Sequence, residues 1–292
     1  MELVELDRRE RRLRRAPREG DVPVSPYAYA RCGFATDIGM RELNEDSLFA
    51  SSPVFVVADG MGGHSAGEVA SRTAVDAFAS LDGRDFVSAG ELEERIALAA
   101  RAVRGLASES GIPGTTLTGL VLGIEGGFPY ARVFNIGDSR TYHLSGMAFI
   151  QVTKDHSEVQ ELIDAGVAEG NNWGRRNVIT RALGGHSGSD VGADVFLVPL
   201  SMGDRFVLCS DGLSSVVSNE RISEVARYME DPQETAQTLV QKALGAGGSD
   251  NVTVVVVDIV DCGPQLPSGN IEEETVTAAR RIVGDDTVPR RG

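Results

Sequence analysis

The chain has 292 residues, of which 41% are hydrophobic and 24% are charged, a composition typical of soluble globular proteins. Its formal net charge of −15 argues against a nucleic-acid-binding surface over most of the chain. Its three cysteines are far apart and form no CxxC pair, which argues against a zinc site and a disulfide framework and indicates reduced, cytosolic thiols.

Residues 1–26 are predicted to be a flexible basic extension. The run RRERRLRR at 8–15 precedes a proline-broken linker, and such a run is more often a solvated terminus than a contact to an acidic partner or to anionic lipid. The start of the chain has no apolar signal-peptide core, and no run of about 18 apolar residues occurs anywhere. We therefore expect a cytoplasmic protein without a transmembrane segment.

Strand and helix patterns alternate between residues 27 and 261. Strands are predicted at 54–58, 117–124, 130–136, 195–199, 205–210 and 252–259, which are rich in Val, Ile, Leu and Phe. Helices are predicted at 66–80, 91–109, 156–166, 219–229 and 232–244. Long hairpins, such as the one that Gly126 and Gly127 join, with few βαβ crossovers favour antiparallel sheets with helices packed outside.

The end of the chain differs from this pattern. Residues 262–292 are polar, lack aromatic side chains and show no strand pattern, so they are predicted to form a disordered C-terminal tail. Thr275, Thr277 and Thr287 stand beside acidic residues, which suggests phosphorylation and a phosphothreonine-binding partner. A solvated tail without modification is the simpler alternative.

The strand predicted at 54–58 ends on Asp59, and the glycine-rich sequence GMGGHSAG follows. Such a loop can cradle a phosphate on backbone N–H groups, or it can hold a carboxylate out to a metal ion. A dinucleotide fingerprint that began at Gly60 would need glycine at position 65, which is Ser65, and no Walker-type Gly-Lys-Ser/Thr follows. The sequence therefore favours a metal site over nucleotide binding.

Further acids lie beside other predicted strand ends. They are Glu45 and Asp46 before LF, Asp138 after VFNIG, Asp211 after FVLCS and Asp250 before VTVVVV. A single Asp-Gly pair is more often a turn. Several acids in the same context instead indicate a shared site for a hard cation, and ligands that are all oxygens suit magnesium or manganese rather than zinc.

Eight segments in order resemble the bacterial branch of the metal-dependent serine/threonine protein phosphatases of type 2C. They are TDIGMRELNED (36–46), VVADGMGGHSAGEVAS (56–71), GTTL (114–117), NIGDSR (135–140), TKDHSEVQELIDAG (153–166), RNVITRALG (176–184), LCSDGL (208–213) and GSDNVTVVVV (248–257). The resemblance covers most of the domain predicted at 27–261. It implies an α+β fold, a four-layer α-β-β-α sandwich of two central antiparallel sheets flanked by helices, with a small flap subdomain at about 153–183.

The resemblance also implies the site residues. Two core Mn²⁺ or Mg²⁺ ions would be held by Asp46, Asp59, the Gly60 carbonyl, Asp211 and Asp250, with Asp59 bridging them. Asp138 would hold a third ion together with Asp211, Glu45 would orient water ligands, and Arg41 would bind the substrate phosphate. The implied reaction is hydrolysis of phosphoserine and phosphothreonine by direct attack of a metal-bridging hydroxide, without a phospho-enzyme. The implied partners are phosphoproteins made by serine/threonine kinases, and we expect a monomer.

Two features depart from the family pattern. Met61 stands where animal members carry a histidine that can act as general acid, and a thioether cannot donate a proton. We expect that His64 does not replace that histidine. The flap stretch VAEGNNWGRRN is shorter than usual, and its Trp173 is predicted either to touch the substrate peptide or to pack locally.

Other residues invite alternative interpretations. Cys209 and His143 are predicted to be structural, Thr115 and Thr116 to pack near the sheet edge, and His156 to cap a helix start. A pseudophosphatase, which binds partners without turnover, is the alternative from another functional class. The presence of all four core aspartates argues against it.

Overall fold

The computed structural model describes residues 26–62, 66–107, 111–166, 178–184, 192–264 and the backbone of 277–281. In chain order the elements are β1 (Tyr27–Asp37), β2 (Asp46–Ser51), β3 (Val54–Met61), α1 (Ala66–Asp76), the 3₁₀ helix η1 (Ala79–Leu81), α2 (Ala89–Arg104), β4 (Gly114–Thr115), β5 (Leu117–Glu125), β6 (Phe128–Ile136), β7 (Arg140–Ser145), β8 (Ala148–Gln151), α3 (Glu158–Asp164), β9 (Leu183–Gly184), β10 (Asp194–Pro199), β11 (Arg205–Cys209), α4 (Asp211–Ser214), α5 (Asn219–Tyr228), α6 (Pro232–Gly245), β12 (Val252–Gly263) and β13 (Thr277–Arg281).

The strands form two antiparallel sheets. The five-stranded sheet has the order β1-β12-β11-β7-β8. The eight-stranded sheet has the order β13-β10-β6-β5-β3-β4-β9, and β2 pairs with β3 beside this path. Side chains of both sheets share one buried cluster, and the outer face of each sheet packs on helices. The predicted α+β fold with two central antiparallel sheets is confirmed.

Strand β3 shows why its sequence is a continuous apolar run. Phe55 and Val57 lie in the cluster between the two sheets, while Val54, Val56 and Ala58 pack against α1 and α2 on the outer face. Both faces of the strand are therefore covered, and each fully buried valine or phenylalanine contributes about 1.5–3 kcal/mol. Strand β12 repeats this arrangement, with its other face on α4, α5 and α6.

Helix boundaries follow from local hydrogen bonds. Helix α2 begins after Ser88, whose side chain accepts from the Glu91 amide while the Glu91 carboxylate accepts from the Ser88 amide. This capping box begins the helix two residues before the predicted start of 91. At α3, the cap is Ser157 and not His156, because the Ser157 hydroxyl accepts from the Gln160 amide. The predicted capping role of His156 is therefore wrong.

Several elements have no counterpart among the predicted ones: β1, β2, β7, β8, α4 and the short strands β4, β9 and β13. Strand β1 is an edge strand with mixed composition, so it lacks the apolar run of the central strands. The predicted tail at 262–292 begins within β12, which extends to Gly263, and it contains β13, which pairs antiparallel with β10. Backbone pairing at an edge needs no apolar pattern, so the sequence did not reveal it.

No helix among the described residues is long and apolar enough to cross a membrane.

Candidate metal centre

The predicted ligands come from both sheets and meet at one edge of them. Asp46 begins β2 and lies directly opposite Asp59 near the end of β3. Asp211 begins α4 just after β11, and Asp250 lies just before β12, the strand that pairs with β11. Ser210 connects the two sheets, since its hydroxyl donates to Asp46 Oδ2 at 2.8 Å and its amide donates to the Thr253 carbonyl.

Burial and mutual repulsion raise the pKa values of these carboxyls. Burial raises the pKa of Asp46 to about 7, although hydrogen bonds from Thr253 and Ser210 oppose the rise. Burial, followed by the charges of neighbouring aspartates, raises the pKa of Asp59 well above its usual value. Burial, followed by the Asp250 charge, also raises the pKa of Asp211. Like charges in a poorly solvated site resist ionisation together, so this centre favours binding of a cation.

Asp138 belongs to the same acidic group. It follows β6, and burial and the charge of Asp211 raise its pKa to about 7. Arg140, two residues later, is bound to Asp155 through a two-pronged contact, with Nη2 at 2.7 Å from Oδ2 and Nε at 3.0 Å from Oδ1. The Arg140 charge acts to lower the pKa values of Asp138 and Asp211, but burial has the larger effect, so both pKa values are raised.

The hydrogen bonding of two carboxylate oxygens indicates whether the site fits a metal ion. Asp46 Oδ1 and Asp138 Oδ1 are both buried and have no hydrogen-bond partner. Leaving a buried carboxylate oxygen without a partner is costly, and a cation would remove that cost. Within the described ranges, no three acidic, histidine or cysteine side chains are already arranged as ligands around one ion. Carboxylates without a cation repel one another, so the oxygen-only donor set fits divalent ions that would draw it together.

Glycine is required at position 60 by the neighbouring backbone. A Cβ atom there would lie 2.1 Å from the Gly67 carbonyl oxygen, and the Gly60 amide donates to the Glu45 carbonyl at 3.1 Å. Glu45 Oε1 accepts from the Gly67 amide at 3.2 Å, in the first turn of α1. The Glu45 carboxylate is therefore bound to a helix N-terminus, and its action on water ligands stays a prediction.

Arg41 lies at this acidic edge, as predicted. Its Nη2 donates to Asp250 Oδ2 at 2.7 Å, and its Nε donates to the Ser249 carbonyl at 3.2 Å. About half of the side chain is exposed, so the guanidinium is open to solvent beside the acids. Its binding of a phosphate stays a prediction.

Asn251 positions the loop that carries Arg41, although no pattern in the sequence selects it individually. Its Nδ2 donates to the carbonyls of Ile38 and Leu43 at 2.9 and 2.8 Å, and its Oδ1 accepts from the Glu45 amide at 2.8 Å. The contacts join residues more than 200 positions apart in sequence. The only sequence signal was the membership of Asn251 in the motif GSDNVTVVVV.

Two threonines hold the backbone of Asp59. The Asp59 amide donates to Thr116 Oγ1, the Thr116 amide donates back to the Asp59 carbonyl, and Thr115 Oγ1 donates to the same carbonyl, all at 2.9 Å. Both threonines are fully buried. They pack at the sheet edge, as predicted, and they also orient Asp59, a role that the sequence did not indicate.

His156 holds the loop that carries Asp138. The Gly137 amide donates to His156 Nδ1 at 3.1 Å, and the His156 amide donates to the Gly137 carbonyl at 2.9 Å. His156 Nε2 lies 3.2 Å from Asp194 Oδ2, and Arg181 Nη1 donates to Asp194 Oδ1 at 3.1 Å. The hydrogen bond from His156 is the main cause that lowers the pKa of Asp194. The predicted helix cap is thus a support for the site.

The remaining residues considered in the sequence either have contacts typical of a structural role or lie outside the described residues. His143 Nε2 lies 3.2 Å from Asp204 Oδ2 and its ring stacks on Phe206, as expected for a structural residue. Burial raises the pKa of the Cys209 thiol to about 12, which fits its predicted inert role. His64, Trp173 and residues 167–177 in the middle of the flap are outside the described residues, as are Thr275 and Thr287.

Comparisons with known proteins agree on one family. The family model described as Protein phosphatase 2C matches residues 37–252. The serine/threonine protein phosphatase PstP of Mycobacterium tuberculosis is 41% identical over 232 residues, which are 76% of this chain but 43% of that protein. The serine/threonine phosphatase stp of Listeria monocytogenes is 35% identical over 243 residues, 77% of this chain and 94% of that protein.

Solved structures show the same similarity. The catalytic domain of PstP in complex with two manganese ions matches with a TM-score of 0.70 and 37% identity, covering 80% of this chain and 99% of that one. The match therefore covers nearly all of the catalytic domain of PstP but less than half of the length of the whole PstP protein.

Proposed function

Because the chain belongs to the protein phosphatase 2C family of metal-dependent serine/threonine protein phosphatases, we propose that it hydrolyses phosphoserine and phosphothreonine in proteins. The observation that carries this proposal is the group of buried aspartates with raised pKa values and unpartnered oxygens at one edge of the sheets. Such a group destabilises a fold unless a cation is bound, and the hydrolysis of phosphate esters by this family is the reaction for which that cation would be needed.

Two core Mn²⁺ or Mg²⁺ ions would be held by Asp46, Asp59, the Gly60 carbonyl, Asp211 and Asp250. Asp138 would hold a third ion together with Asp211, and the unpartnered Asp138 Oδ1 supports this assignment. When bound, the core ions would lower the pKa of a bridging water for direct attack on phosphorus and neutralise the phosphoryl oxygens, without a phospho-enzyme.

The protein's own groups would orient these parts. Thr116 and Thr115 hold the backbone of Asp59, and Ser210 holds one oxygen of Asp46. The Arg41 guanidinium now contacts Asp250 and is half exposed, and we propose that it exchanges this contact for two oxygens of the substrate phosphate. A planar fork matches two phosphate oxygens better than a point charge does.

Protonation of the leaving alkoxide is a separate question. Met61 at the end of β3 has no proton to donate. We propose that a water bound at the metal centre supplies the proton, or that the leaving group departs with little help. His64→Ala should then change kcat on phosphothreonine peptides by less than about fivefold, whereas loss of a general acid typically costs about 10²–10⁴-fold. A loss of that larger size, confined to alkyl phosphates and absent with aryl phosphates, would identify His64 as the acid.

We further propose that the protein is a cytoplasmic monomer whose substrates are products of serine/threonine kinases. The tail, with its threonines beside acidic residues, would bind a phosphothreonine-recognising partner after phosphorylation. Size measurement in solution tests whether the protein is a monomer, and mass spectrometry of the native protein tests whether the tail is phosphorylated. A tail without phosphate beyond residue 261 would contradict the proposed phosphorylation.

Hydrolysis of phosphopeptides with and without Mn²⁺ tests the proposed function directly. We expect turnover of phosphoserine and phosphothreonine peptides that requires added Mn²⁺ or Mg²⁺ and ceases with EDTA, because all proposed ligands are oxygens. Phosphotyrosine peptides of the same sequence serve as the control for selectivity. Undiminished turnover in chelator-treated protein would contradict the metal mechanism, and binding of phosphopeptides without any turnover would indicate a pseudophosphatase instead.

A further inference from the structure

The loop between β1 and β2 exposes three large apolar side chains beside the metal centre. Met40 is 79% exposed, Leu43 is 45% exposed and Ile38 is 39% exposed. Scattered apolar residues on a surface need no explanation, whereas a cluster next to a reactive site is typical of a binding surface. We refer to Ile38, Met40 and Leu43 as the apolar loop surface.

Hydrogen bonds and a close backbone contact hold this loop in place. The Met40 amide donates to the Gly248 carbonyl at 2.8 Å, and the Gly39 amide donates to Asp37 Oδ1 at 2.8 Å. Gly39 has a φ of +59°, and a Cβ there would lie 2.2 Å from the Asp250 carbonyl oxygen. The loop is therefore pressed against the segment that carries Asp250.

The apolar loop surface surrounds Arg41 in the sequence. Arg41, the proposed phosphate-binding group, is in direct contact with Asp250, and the exposed Met40 precedes it by one residue. A phosphorylated residue bound at Arg41 would bring its neighbours in the substrate chain within reach of this loop. The exposed side chains of this loop offer apolar contact area, which the carboxylates of the acidic edge do not provide.

We infer that Ile38, Met40 and Leu43 bind the residues that flank the phosphorylated residue, and that they select substrates with large aliphatic or aromatic flanking side chains. This inference rests on the proposed function. The partner is an extended phosphopeptide segment rather than a membrane, because a protein with a net charge of −15 is repelled by anionic lipid. The unbranched thioether of Met40 can adapt to flanking side chains of different shape.

Substrate selectivity tests the inference. The substrates are a phosphothreonine peptide with leucine on both sides of the phosphothreonine, the same peptide with serine there, and p-nitrophenyl phosphate as a substrate without flanking residues. For the wild type we expect kcat/KM to be larger for the leucine peptide. In Met40→Gln, we expect the ratio of kcat/KM for the leucine peptide to that for the serine peptide to fall about three- to tenfold.

Met147→Gln is the matched control. Met147 is 84% exposed in the turn between β7 and β8, so the substitution makes the same chemical change at a similarly exposed position outside this loop. We expect it to leave the leucine-to-serine ratio unchanged. Met40→Leu, which keeps an apolar side chain, should retain most of the selectivity.

The outcomes separate this inference from the proposed function. A wild type that hydrolyses all three substrates without preference for leucine would overturn only the inference, as would equal ratios in Met40→Gln and Met147→Gln. A fall in kcat/KM by the same factor for both peptides and p-nitrophenyl phosphate would also overturn it, because damage to Arg41 would then explain the loss. A wild type that hydrolyses none of the three with Mn²⁺ would overturn the proposed function itself.

Discussion

The paired strands β11 and β12 carry two groups of buried charge with opposite properties. At the start of β11, Arg205 pairs with Asp258 of β12, and the guanidinium donates a hydrogen bond to each oxygen of the carboxylate. Just beyond the other end of β11, Asp211 and Asp250 belong to a group of acids with an excess of negative charge. One strand pair thus carries a balanced charge group and an unbalanced one.

The balanced group has the features of a structural element. Arg205 Nη2 donates to Asp258 Oδ2 at 2.8 Å and to the Glu230 carbonyl at 2.9 Å, and Nη1 donates to the Ala226 carbonyl at 2.8 Å. These bonds attach the end of α5 to the five-stranded sheet. In the acidic group, by contrast, oxygens of Asp46 and Asp138 stay unpartnered. Buried charge that the chain satisfies itself stabilises the fold, whereas buried charge that it leaves unsatisfied is available for a ligand.

The largest expected effect concerns the balanced group. Arg205→Met should lower the free energy of unfolding by about 3–5 kcal/mol, because it removes two hydrogen bonds to the buried Asp258 carboxylate and the bonds to three backbone carbonyls at the end of α5 and just after it. The control is Arg31→Met. Arg31 also contacts Asp258, but its side chain is 52% exposed, so we expect at most about 1 kcal/mol. Urea unfolding of the metal-free variants measures both values, and equal losses would show that burial does not distinguish the two arginines.

The second effect concerns the acidic group and falls on activity. Asp59→Asn should lower kcat by about 10²–10³-fold at saturating Mn²⁺, because the proposed bridge between the ions is lost. The metal-free variant should be at least as stable as the wild type, since a charge that burial disfavours has been removed. Asp85→Asn, at an exposed acid, controls for the change in net charge. Retention of more than about a tenth of the wild-type kcat would contradict the role of Asp59.

The pH dependence of the metal-free protein tests the same contrast. The folded-state pKa values of Asp46 and Asp138 are about 7, above the usual value of 3.8, so the folded state holds these protons more tightly than the unfolded state does. Their contribution to stability is complete below about pH 4 and is lost as the pH rises through about 7. We expect unfolding in EDTA to become easier by about 1 kcal/mol per group between pH 6 and pH 8.

Added Mn²⁺ should reverse this loss of stability at pH 8, and Asp46→Asn should reduce the slope with pH. Thermal unfolding across the pH range measures all three. A metal-free protein whose stability does not fall between pH 6 and pH 8 would show that these aspartates are already ionised in the folded state without an ion.

The smallest expected effect separates the third ion from the core. Asp138→Ala should keep two tight Mn²⁺ sites in calorimetry while it slows protein substrates about three- to tenfold, because Asp138 is proposed to hold only the weaker ion. Its position depends on the His156 contact to Gly137, so His156→Ala should slow the same substrates by a similar factor. Loss of the two tight sites in Asp138→Ala would place this residue among the core ligands.

The sequence by itself determined the central strands and the family. Strands such as β3 and β12 are covered on both faces, so they appear as apolar runs that a local pattern reveals. The acids are visible because each interrupts such a run at its end. The sequence also marked the glycine-rich loop after Asp59. The structure shows why position 60 requires glycine, because a Cβ atom there would collide with the backbone.

Only the tertiary structure decided which distant groups meet. The register that places Asp46 opposite Asp59, the hold of Asn251 on the Arg41 loop and the contact of His156 with Gly137 all depend on strand pairing or on packing between elements. Edge strands such as β1 escape local patterns because solvent on one side permits mixed composition. A side chain's sequence neighbours fix its local conformation, but its partners across 200 residues are fixed by the sheets that bring the chain together.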